Sequence, residues 1–335
     1  MALRWGIASS GLIANDFVTA LKGLPKEEHQ VVAVAARSSS SAEKFAKTHN
    51  IPTFHEGYAN LAKDPNVQVV YIGVLNPQHH EVAILMLENG KHVLCEKPFT
   101  LNEKLARQVI EVARRKKLFI MEAIWSRFFP SYQEARRLIK AGEIGDVKYA
   151  SVAFGVKIDK VERVTNKDLC GSATLDIGVY ILQFQQFVFQ GLQPEKIAVA
   201  GHLDEHGVDD AVSAIFVYPD NKTAVVSCNT TVDLPNEAVI VGSKGTIKLP
   251  TFWSPLTLTL NSKVKEFPLI PNEGKFNYYN SAGLAYQAIE VRKCILEGKL
   301  ESDVVPHAET IQLAAWMDKL RHEVGMKLPP PFEDN

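Results

Sequence analysis

Gly6-Ile7-Ala8-Ser9-Ser10-Gly11-Leu12-Ile13-Ala14 is the stretch that decides the fold, because it joins the first predicted strand to the first predicted helix. A dinucleotide fingerprint of the form GxGxxG/A needs a tight turn, a close backbone approach to pyrophosphate, and a small residue where helix meets strand. Gly11 and Ala14 fit its second and third positions, and Ser9 stands where the first glycine is usual. Since a helix N-terminus favours an anion, the turn predicts a phosphate site. Its predicted residues are Ser9, Gly11, Leu12 and Ile13.

Outward from this turn, short apolar runs alternate with helical patterns. Strands are predicted at Leu3–Ala8, Val31–Ala36, Val67–Val74, Val93–Cys95 and Phe119–Ala123, and helices at Leu12–Leu24, Ala42–His49, His80–Asn89 and Asn102–Lys117. Alternation of this kind predicts a parallel sheet with right-handed crossovers. We therefore expect a doubly wound α/β Rossmann domain over residues 1–124.

The pattern changes beyond that point, where strands follow one another without helices between them. Helices are predicted at Ser131–Lys140, Leu175–Phe189, Leu284–Glu297 and His307–Val324, and strands at Val147–Val156, Lys196–His202, Ala211–Tyr218, Thr223–Thr230, Ala238–Val241, Thr246–Leu249 and Leu256–Leu260. Consecutive strands imply a mostly antiparallel sheet. Residues 125–335 are expected to form an α+β domain with a large open sheet, which binds substrate and dimerises.

The composition narrows the class of protein. A net charge of −1 argues against a nucleic-acid partner, since such proteins carry a surplus of Lys and Arg. No stretch approaches the roughly 20 apolar residues of a membrane helix, and the N-terminus has no signal-peptide pattern. The four cysteines lie far apart, without a CxxC pair, which predicts free thiols and a cytoplasmic location. No metal is expected, because His79 and His80 have no acid or cysteine at ligand spacing.

The end of the second predicted strand indicates which dinucleotide binds. An NAD enzyme usually has an acid there, about 20 residues after the glycines, on the ribose 2′-hydroxyl. This chain has Arg37-Ser38-Ser39-Ser40 instead. A guanidinium can hold a 2′-phosphate with two charge-assisted hydrogen bonds, and serines add donors. Arg37 and Ser38 therefore predict NADP, the alternative being a solvated surface arginine.

Glu96-Lys97-Pro98 follows the fourth strand of this pattern, at the sheet edge where ligands bind. With this motif the chain resembles the Gfo/Idh/MocA oxidoreductase family, named for glucose–fructose oxidoreductase and inositol dehydrogenase. The resemblance spans nearly the whole chain. It rests on the Ser9–Ala14 turn, Asn76-Pro77, His79-His80, Glu96-Lys97-Pro98, Gly142-Glu143-Ile144-Gly145, Asp176-Ile177-Gly178 and Gly242-Ser243-Lys244-Gly245-Thr246-Ile247.

The resemblance implies an enzyme that transfers hydride between an alcohol or sugar and nicotinamide. It adds to the predicted cofactor site Tyr71, Asn76, Pro77, His79, Glu96 and Lys97, although Tyr71 could be a core residue only. Two features resemble those members of the family that oxidise trans-dihydrodiols of aromatic hydrocarbons and D-xylose with NADP. These are Arg37, and Tyr180 at a position where the family usually has histidine. The alternatives are another sugar or inositol dehydrogenase of this family, or a non-catalytic NADP-binding sensor.

Asp176 and Tyr180 lie four residues apart in a predicted helix, a spacing that puts both side chains on one face. We expect Tyr180 to take the hydroxyl proton of the alcohol as hydride leaves carbon. A free tyrosine has a pKa of about 10, so its ionisation at neutral pH needs a stabilising neighbour. The resemblance implies that Lys97 lies nearby, where its positive charge would favour the phenolate. Asp176 would orient the substrate or the lysine. Tyr180 could instead be a core residue, with Lys97 as the base.

Several aromatic side chains are candidates for the wall of a pocket that takes a flat diol. The predicted substrate residues are Trp125, Phe154, Trp253 and Tyr279. An antiparallel sheet with one covered face leaves the other face for a partner, which the family commonly uses between subunits. A homodimer is therefore expected, with two-fold symmetry.

Overall fold

The structure, a computed structural model, describes residues 2–333; Met1 and residues 334 and 335, which the predicted domain bounds include, lie outside it. The described chain forms two compact units. The first comprises residues up to 100, 104–125 and 269–310, and the second 101–103, 126–268 and those from 311 onward. Residues 269–310 thus group with the nucleotide-binding part, whereas the sequence-based division assigned everything after residue 124 to the second domain.

The first unit contains a parallel sheet, as the sequence predicts, and the sheet has six strands where five were expected. Its strands are β1 (Leu3–Ala8), β2 (His29–Ala36), β3 (Thr53–Glu56), β4 (Val69–Ile72), β5 (His92–Cys95) and β6 (Ile120–Glu122), and its helices in this stretch are α1 (Leu12–Leu21), α2 (Ser39–His49), α3 (Tyr58–Lys63), α4 (His79–Glu88) and α5 (Glu103–Lys116). The strand order β3-β2-β1-β4-β5-β6 reverses direction beside β1, which is the Rossmann arrangement. The carboxyl ends of β1 and β4 therefore flank the point at which Rossmann domains bind dinucleotides.

The second unit contains an eight-stranded sheet, and its predicted mostly antiparallel character is confirmed. The remaining helices and strands are α6 (Pro130–Lys140), β7 (Val147–Gly155), α7 (Glu162–Thr165), α8 (Val179–Val188), β8 (Lys196–Leu203), β9 (Asp209–Tyr218), β10 (Lys222–Asn229), β11 (Glu237–Gly242), β12 (Thr246–Pro250), β13 (Thr257–Leu260), β14 (Lys263–Glu266), α9 (Leu284–Leu296) and α10 (His307–Glu323). The strand order is β14-β13-β12-β11-β7-β10-β9-β8, and only the central β7–β10 pair is parallel. Helix α8 packs on β7 and β10 and covers one face.

Several details differ from the sequence-based expectation. Helix α1 ends at Leu21 rather than Leu24, because Gly23 and Pro25 follow and cannot extend it favourably. The residues predicted as one α-helix from Leu175 begin instead as a π-helical turn at Thr174–Gly178 before α8. Strands β3 and β14 were not predicted, since β14 is exposed throughout and neither strand has a buried apolar stripe.

Buried aliphatic side chains fill the centre of the first sheet, where β4 is buried on both faces. The second sheet alternates, as β9 shows with Val212, Ala214 and Phe216 buried and the residues between them exposed. Such alternation marks a sheet with one packed and one open face. Within the described residues no helix is long and apolar enough to cross a membrane. All four cysteines are buried and free.

Candidate functional site

The predicted phosphate turn lies between β1 and α1. Ser9 has φ +143°, a region that favours glycine, which explains why the family pattern has glycine at this position. Its Oγ accepts a hydrogen bond from Gly11 N at 3.0 Å. Among the residues that the structure describes, no side chain caps α1 and no acid lies in its first turn, while Leu12 is 59% exposed. The first amides of α1 can therefore donate to an anion, as a dinucleotide site requires.

Arg37 and Ser38 follow β2, at the neighbouring strand end. Both are exposed, and Ser38 caps α2 by accepting from Ser41 N at 3.3 Å. No carboxylate among the described residues forms an ion pair with Arg37, whose charge instead acts on Tyr58 and opposes the increase in its pKa caused by burial. A guanidinium at this strand end can pair with a phosphate group.

Tyr71, on β4, and Glu96, directly after β5, form a buried pair. The Tyr71 hydroxyl donates to Glu96 Oε1 at 2.6 Å, and the Tyr71 ring stacks on Phe17 of α1 at 3.9 Å. Burial raises the pKa of Glu96, while the bond from Tyr71 and the charge of Lys97 oppose the increase. Lys97 N also donates to the second carboxylate oxygen, at 3.2 Å. Glu96 thereby fixes the backbone from which the half-buried Lys97 projects.

His79 connects two loops at the same edge of the sheet. It is 1% exposed, and its ring nitrogens face Pro98 O at 2.8 Å and Val74 O at 3.1 Å. Burial lowers its pKa although both carbonyls favour the protonated ring. Asn76 and Pro77 lie in a half-buried 3₁₀ turn just before it. His79 thus holds the loop after β4 against the Glu96-Lys97-Pro98 loop.

In the second unit, Asp176 and Tyr180 share one continuous helical segment. Asp176 lies in the π-helical turn and Tyr180 in the first turn of α8, and they are 5% and 8% exposed. Asp176 Oδ1 forms an ion pair with Arg163 at 2.5 Å. A π-helical turn is an arrangement found frequently at functional sites. The segment is anchored at its start by Asp209, which is 1% exposed and accepts from Thr174 N at 2.8 Å and Thr174 Oγ1 at 2.6 Å.

An aromatic stack lies beside Tyr180 within the second unit. Phe154 meets the Tyr180 ring edge-on at 5.5 Å and stacks on Trp253 at 4.4 Å with an interplanar angle of 16°. Trp253 is half-buried, and its carbonyl accepts from Ser126 Oγ at 2.6 Å. Phe154 and Trp253 thus form a flat apolar wall beside the phenol, as an aromatic substrate would need.

The predicted site residues divide between the two units. The phosphate turn, Arg37, Lys97, Trp125 and Tyr279 belong to the first unit, and the segment with Asp176 and Tyr180 and the Phe154–Trp253 stack belong to the second. Trp125 is 7% exposed and Tyr279 is 65% exposed. The sequence reasoning missed Arg163 and Asp209. Neither lies in a recognisable motif, and only the folded structure brings them to the helical segment.

Comparisons with known proteins agree with this geometry. Residues 3–124 match a family model described as an oxidoreductase family with an NAD-binding Rossmann fold, and residues 132–248 match the GFO/IDH/MocA C-terminal domain. Trans-1,2-dihydrobenzene-1,2-diol dehydrogenase of Xenopus tropicalis is 44% identical over 330 residues, covering 98% of this chain and 100% of that protein.

Two solved structures share the fold. Levoglucosan dehydrogenase in complex with NADH and levoglucosan has a TM-score of 0.84 and 18% identity, covering 96% of this chain and 97% of that one. KijD10, a 3-ketoreductase from Actinomadura kijaniata in complex with NADP and TDP-benzene, has a TM-score of 0.79 and 22% identity, covering 97% and 98%. At such identities these structures support the fold. The two family matches and the 44% identical relative establish that this chain belongs to the Gfo/Idh/MocA family of oxidoreductases with a Rossmann nucleotide-binding domain.

Proposed function

We propose that the protein oxidises trans-dihydrodiols of aromatic hydrocarbons, and D-xylose, by hydride transfer to NADP. The observation that carries this proposal is the Phe154–Trp253 stack beside Tyr180, which places an apolar wall next to a phenol. A dihydrodiol presents a flat ring to such a wall and vicinal hydroxyls to the phenol. The relatives named as dihydrobenzenediol dehydrogenases, 44% identical over nearly the full length, support the same substrate class.

The catalytic roles fall to Tyr180, Lys97 and Asp176. When bound, the nicotinamide accepts a hydride from the carbinol carbon. Tyr180 accepts the hydroxyl proton, so that the alcohol becomes a carbonyl and no further oxidant is needed. Lys97 donates to the oxygen on which charge changes and favours the deprotonated phenol. Glu96, which holds the Lys97 backbone, positions that ammonium group.

Asp176 orients the substrate, and Arg163 balances its charge. A lone carboxylate four residues before Tyr180 would oppose phenolate formation by like-charge repulsion. The ion pair with Arg163 at 2.5 Å offsets that repulsion and fixes the carboxylate. The second unit thereby supports both negative groups in one helical segment.

The cofactor is proposed to be NADP, held by Ser9, Gly11, Leu12 and Ile13 at its pyrophosphate and by Arg37 and Ser38 at its 2′-phosphate. An Arg37→Ala variant should lose about tenfold or more of its affinity for NADP, because charge-assisted bonds to phosphate contribute about 1.5–3 kcal/mol. Its affinity for NAD should stay within about twofold of wild type. An unchanged preference in this variant would remove Arg37 from the role.

A substrate screen tests the proposed activity. Purified protein is incubated with NADP and a panel of trans-dihydrodiols, aldopentoses and inositols, and reduced cofactor is followed by absorbance. We expect turnover with dihydrodiols and D-xylose. Turnover with inositols alone would indicate a different substrate on the same fold, and no turnover despite dinucleotide binding would indicate a non-catalytic sensor.

A homodimer through the open face of the second sheet is part of the proposal. Among the apolar side chains on that face are Tyr149, Ile215 and Val217, which are 37%, 45% and 36% exposed although they lie in central strands. A second copy of the chain would bury them across a two-fold axis. Sedimentation should show a dimer at micromolar concentration and a monomer for Ile215→Arg. A monomeric wild-type protein would contradict this.

A further inference from the structure

A ten-residue segment of the first unit, Pro271–Asn280, lies along helix α1; we call it the strap. Asn272 Nδ2 donates to Thr19 O at 2.8 Å. A Cβ atom on Gly274 would lie 2.1 Å from Thr19 Cγ2, so only glycine permits this approach. Further along, Asn277 Nδ2 reaches Leu12 O at 3.3 Å. The strap therefore runs antiparallel to α1 and reaches the first residue of that helix.

Asp16 of α1 fastens the strap. Its side chain is fully buried, and its oxygens accept from Asn277 N at 2.9 and 3.0 Å, from Asn277 Nδ2 at 2.7 Å and from Tyr278 N at 2.9 Å. Asn15 Nδ2 adds a fifth contact at 3.1 Å. Hydrogen bonds to a carboxylate are stronger than those between neutral groups. Buried and bonded in this way, Asp16 specifies where the strap lies, because without the strap its charge would lose most of its donors.

Two tyrosines follow the strap residue that contacts the start of α1. Tyr278 and Tyr279 directly follow Asn277 and are 42% and 65% exposed. Tyr278 N donates to Asp16 and Asn277 contacts Leu12, which directly follows Gly11, so this part of the strap reaches the helix end that begins the predicted pyrophosphate site. Each phenol can donate its O–H to a phosphate oxygen, and each ring can shield that contact from water. Lys275, also exposed on the strap, adds a positive charge.

We propose that the strap is the outer wall of the dinucleotide pyrophosphate site, with Tyr278 and Tyr279 as binding residues and Asp16 as the positioning residue that holds them. This inference rests on the proposed nucleotide site. A strap that is already fixed along α1 does not have to be ordered when the dinucleotide binds, which strengthens binding. The pyrophosphate is common to NAD and NADP, so the strap should act on both cofactors equally.

The test compares dinucleotide binding, measured by calorimetry, in two strap variants and one control. Asp16→Asn replaces one acceptor oxygen by an NH₂ group that faces the strap donors, and should raise the Kd of NAD and of NADP by a common factor of about five or more. Tyr278→Ala/Tyr279→Ala should do the same without lowering the midpoint of thermal unfolding, because both side chains are exposed. Asp303→Asn is the matched control, since it makes the same chemical change on the exposed surface of the same unit.

The outcomes separate this inference from the proposed function. Arg37→Ala acts on NADP alone, whereas the strap variants act on both cofactors, and the binding measurement needs no turnover. If Asp16→Asn does not fold, the double tyrosine variant decides. A Kd within about twofold of wild type for the double variant would overturn the proposal. So would a strap variant that raised the KM of the substrate while the Kd of both dinucleotides stayed unchanged.

Discussion

Acidification should lower the unfolding free energy of the first unit, because it protonates two buried histidines, His29 and His49. His29 begins β2, and its Nδ1 accepts from Trp5 Nε1 at 3.2 Å, so it must be unprotonated there. His49 ends α2, and its Nε2 donates to Asn15 Oδ1 at 3.1 Å. Burial lowers the pKa of each ring from 6.5 to about 4, and nearby positive charges act in the same direction.

The direction and the magnitude of the pH effect on stability follow from these pKa values. Because the folded pKa is below the unfolded one, the unfolded chain binds more protons, so the stabilisation is complete above pH 6.5 and is lost as the pH falls below it. Each pKa unit corresponds to about 1.36 kcal/mol, so at about pH 5.5 each histidine lowers the unfolding free energy by about 1 kcal/mol. Together they should cost about 2–3 kcal/mol between about pH 7.5 and pH 5.5.

Urea unfolding at the two pH values measures this difference. His49→Gln, which keeps a donor for Asn15, should reduce the pH-dependent loss by about 1 kcal/mol, and His29→Gln by a similar amount. His206→Gln is the matched control, because its side chain is 65% exposed and should leave the wild-type difference in place. Histidine variants at positions 29 and 49 that kept the full wild-type pH dependence would refute the reasoning.

Substitutions at three further positions test the local geometry by urea unfolding. Ser9→Gly should be more stable than Ser9→Ala by about 1–2 kcal/mol, because φ +143° strains any residue with a Cβ; the usual order, with alanine more stable, would contradict this. Asp209→Ala should cost about 1–3 kcal/mol, because the buried amide and hydroxyl of Thr174 lose their acceptor, and Asp209→Asn should recover most of this loss. Equal losses in the two variants would contradict the role of Asp209 as the anchor of the helical segment. Tyr71→Phe should cost about 1.5–3 kcal/mol at neutral pH and less in acid, because it raises the pKa of Glu96 further; a pH-independent loss would contradict the pairing.

Much of the architecture can be predicted from local sequence patterns. The valine-rich runs and the turn at Gly11 specify the parallel sheet, because a strand buried on both faces is apolar throughout. The alternation in β9 specifies the half-open second sheet for the same physical reason. Strand β14, exposed at every position, has no such pattern and could not be predicted.

Long-range relationships explain the remaining differences. Nothing in residues 269–310 indicates that this segment packs with the first unit, since periodicity reports which face of an element is buried and not against what. The π-helical turn around Asp176 depends on a wider hydrogen-bond spacing that has no residue signature. Arg163 lies thirteen positions before Asp176, beyond any helical spacing, so their ion pair emerges only on folding.

Tyr180→Phe tests the central claim most directly, because it removes only the oxygen that is proposed to accept the proton. Turnover of a trans-dihydrodiol with saturating NADP should fall by about a hundredfold or more, the contribution expected of a general base, while the Kd of NADP stays unchanged. Tyr149→Phe, on the exposed face of the same unit, should keep wild-type turnover. Near-normal turnover in Tyr180→Phe would contradict the account and shift the proton acceptor to Lys97.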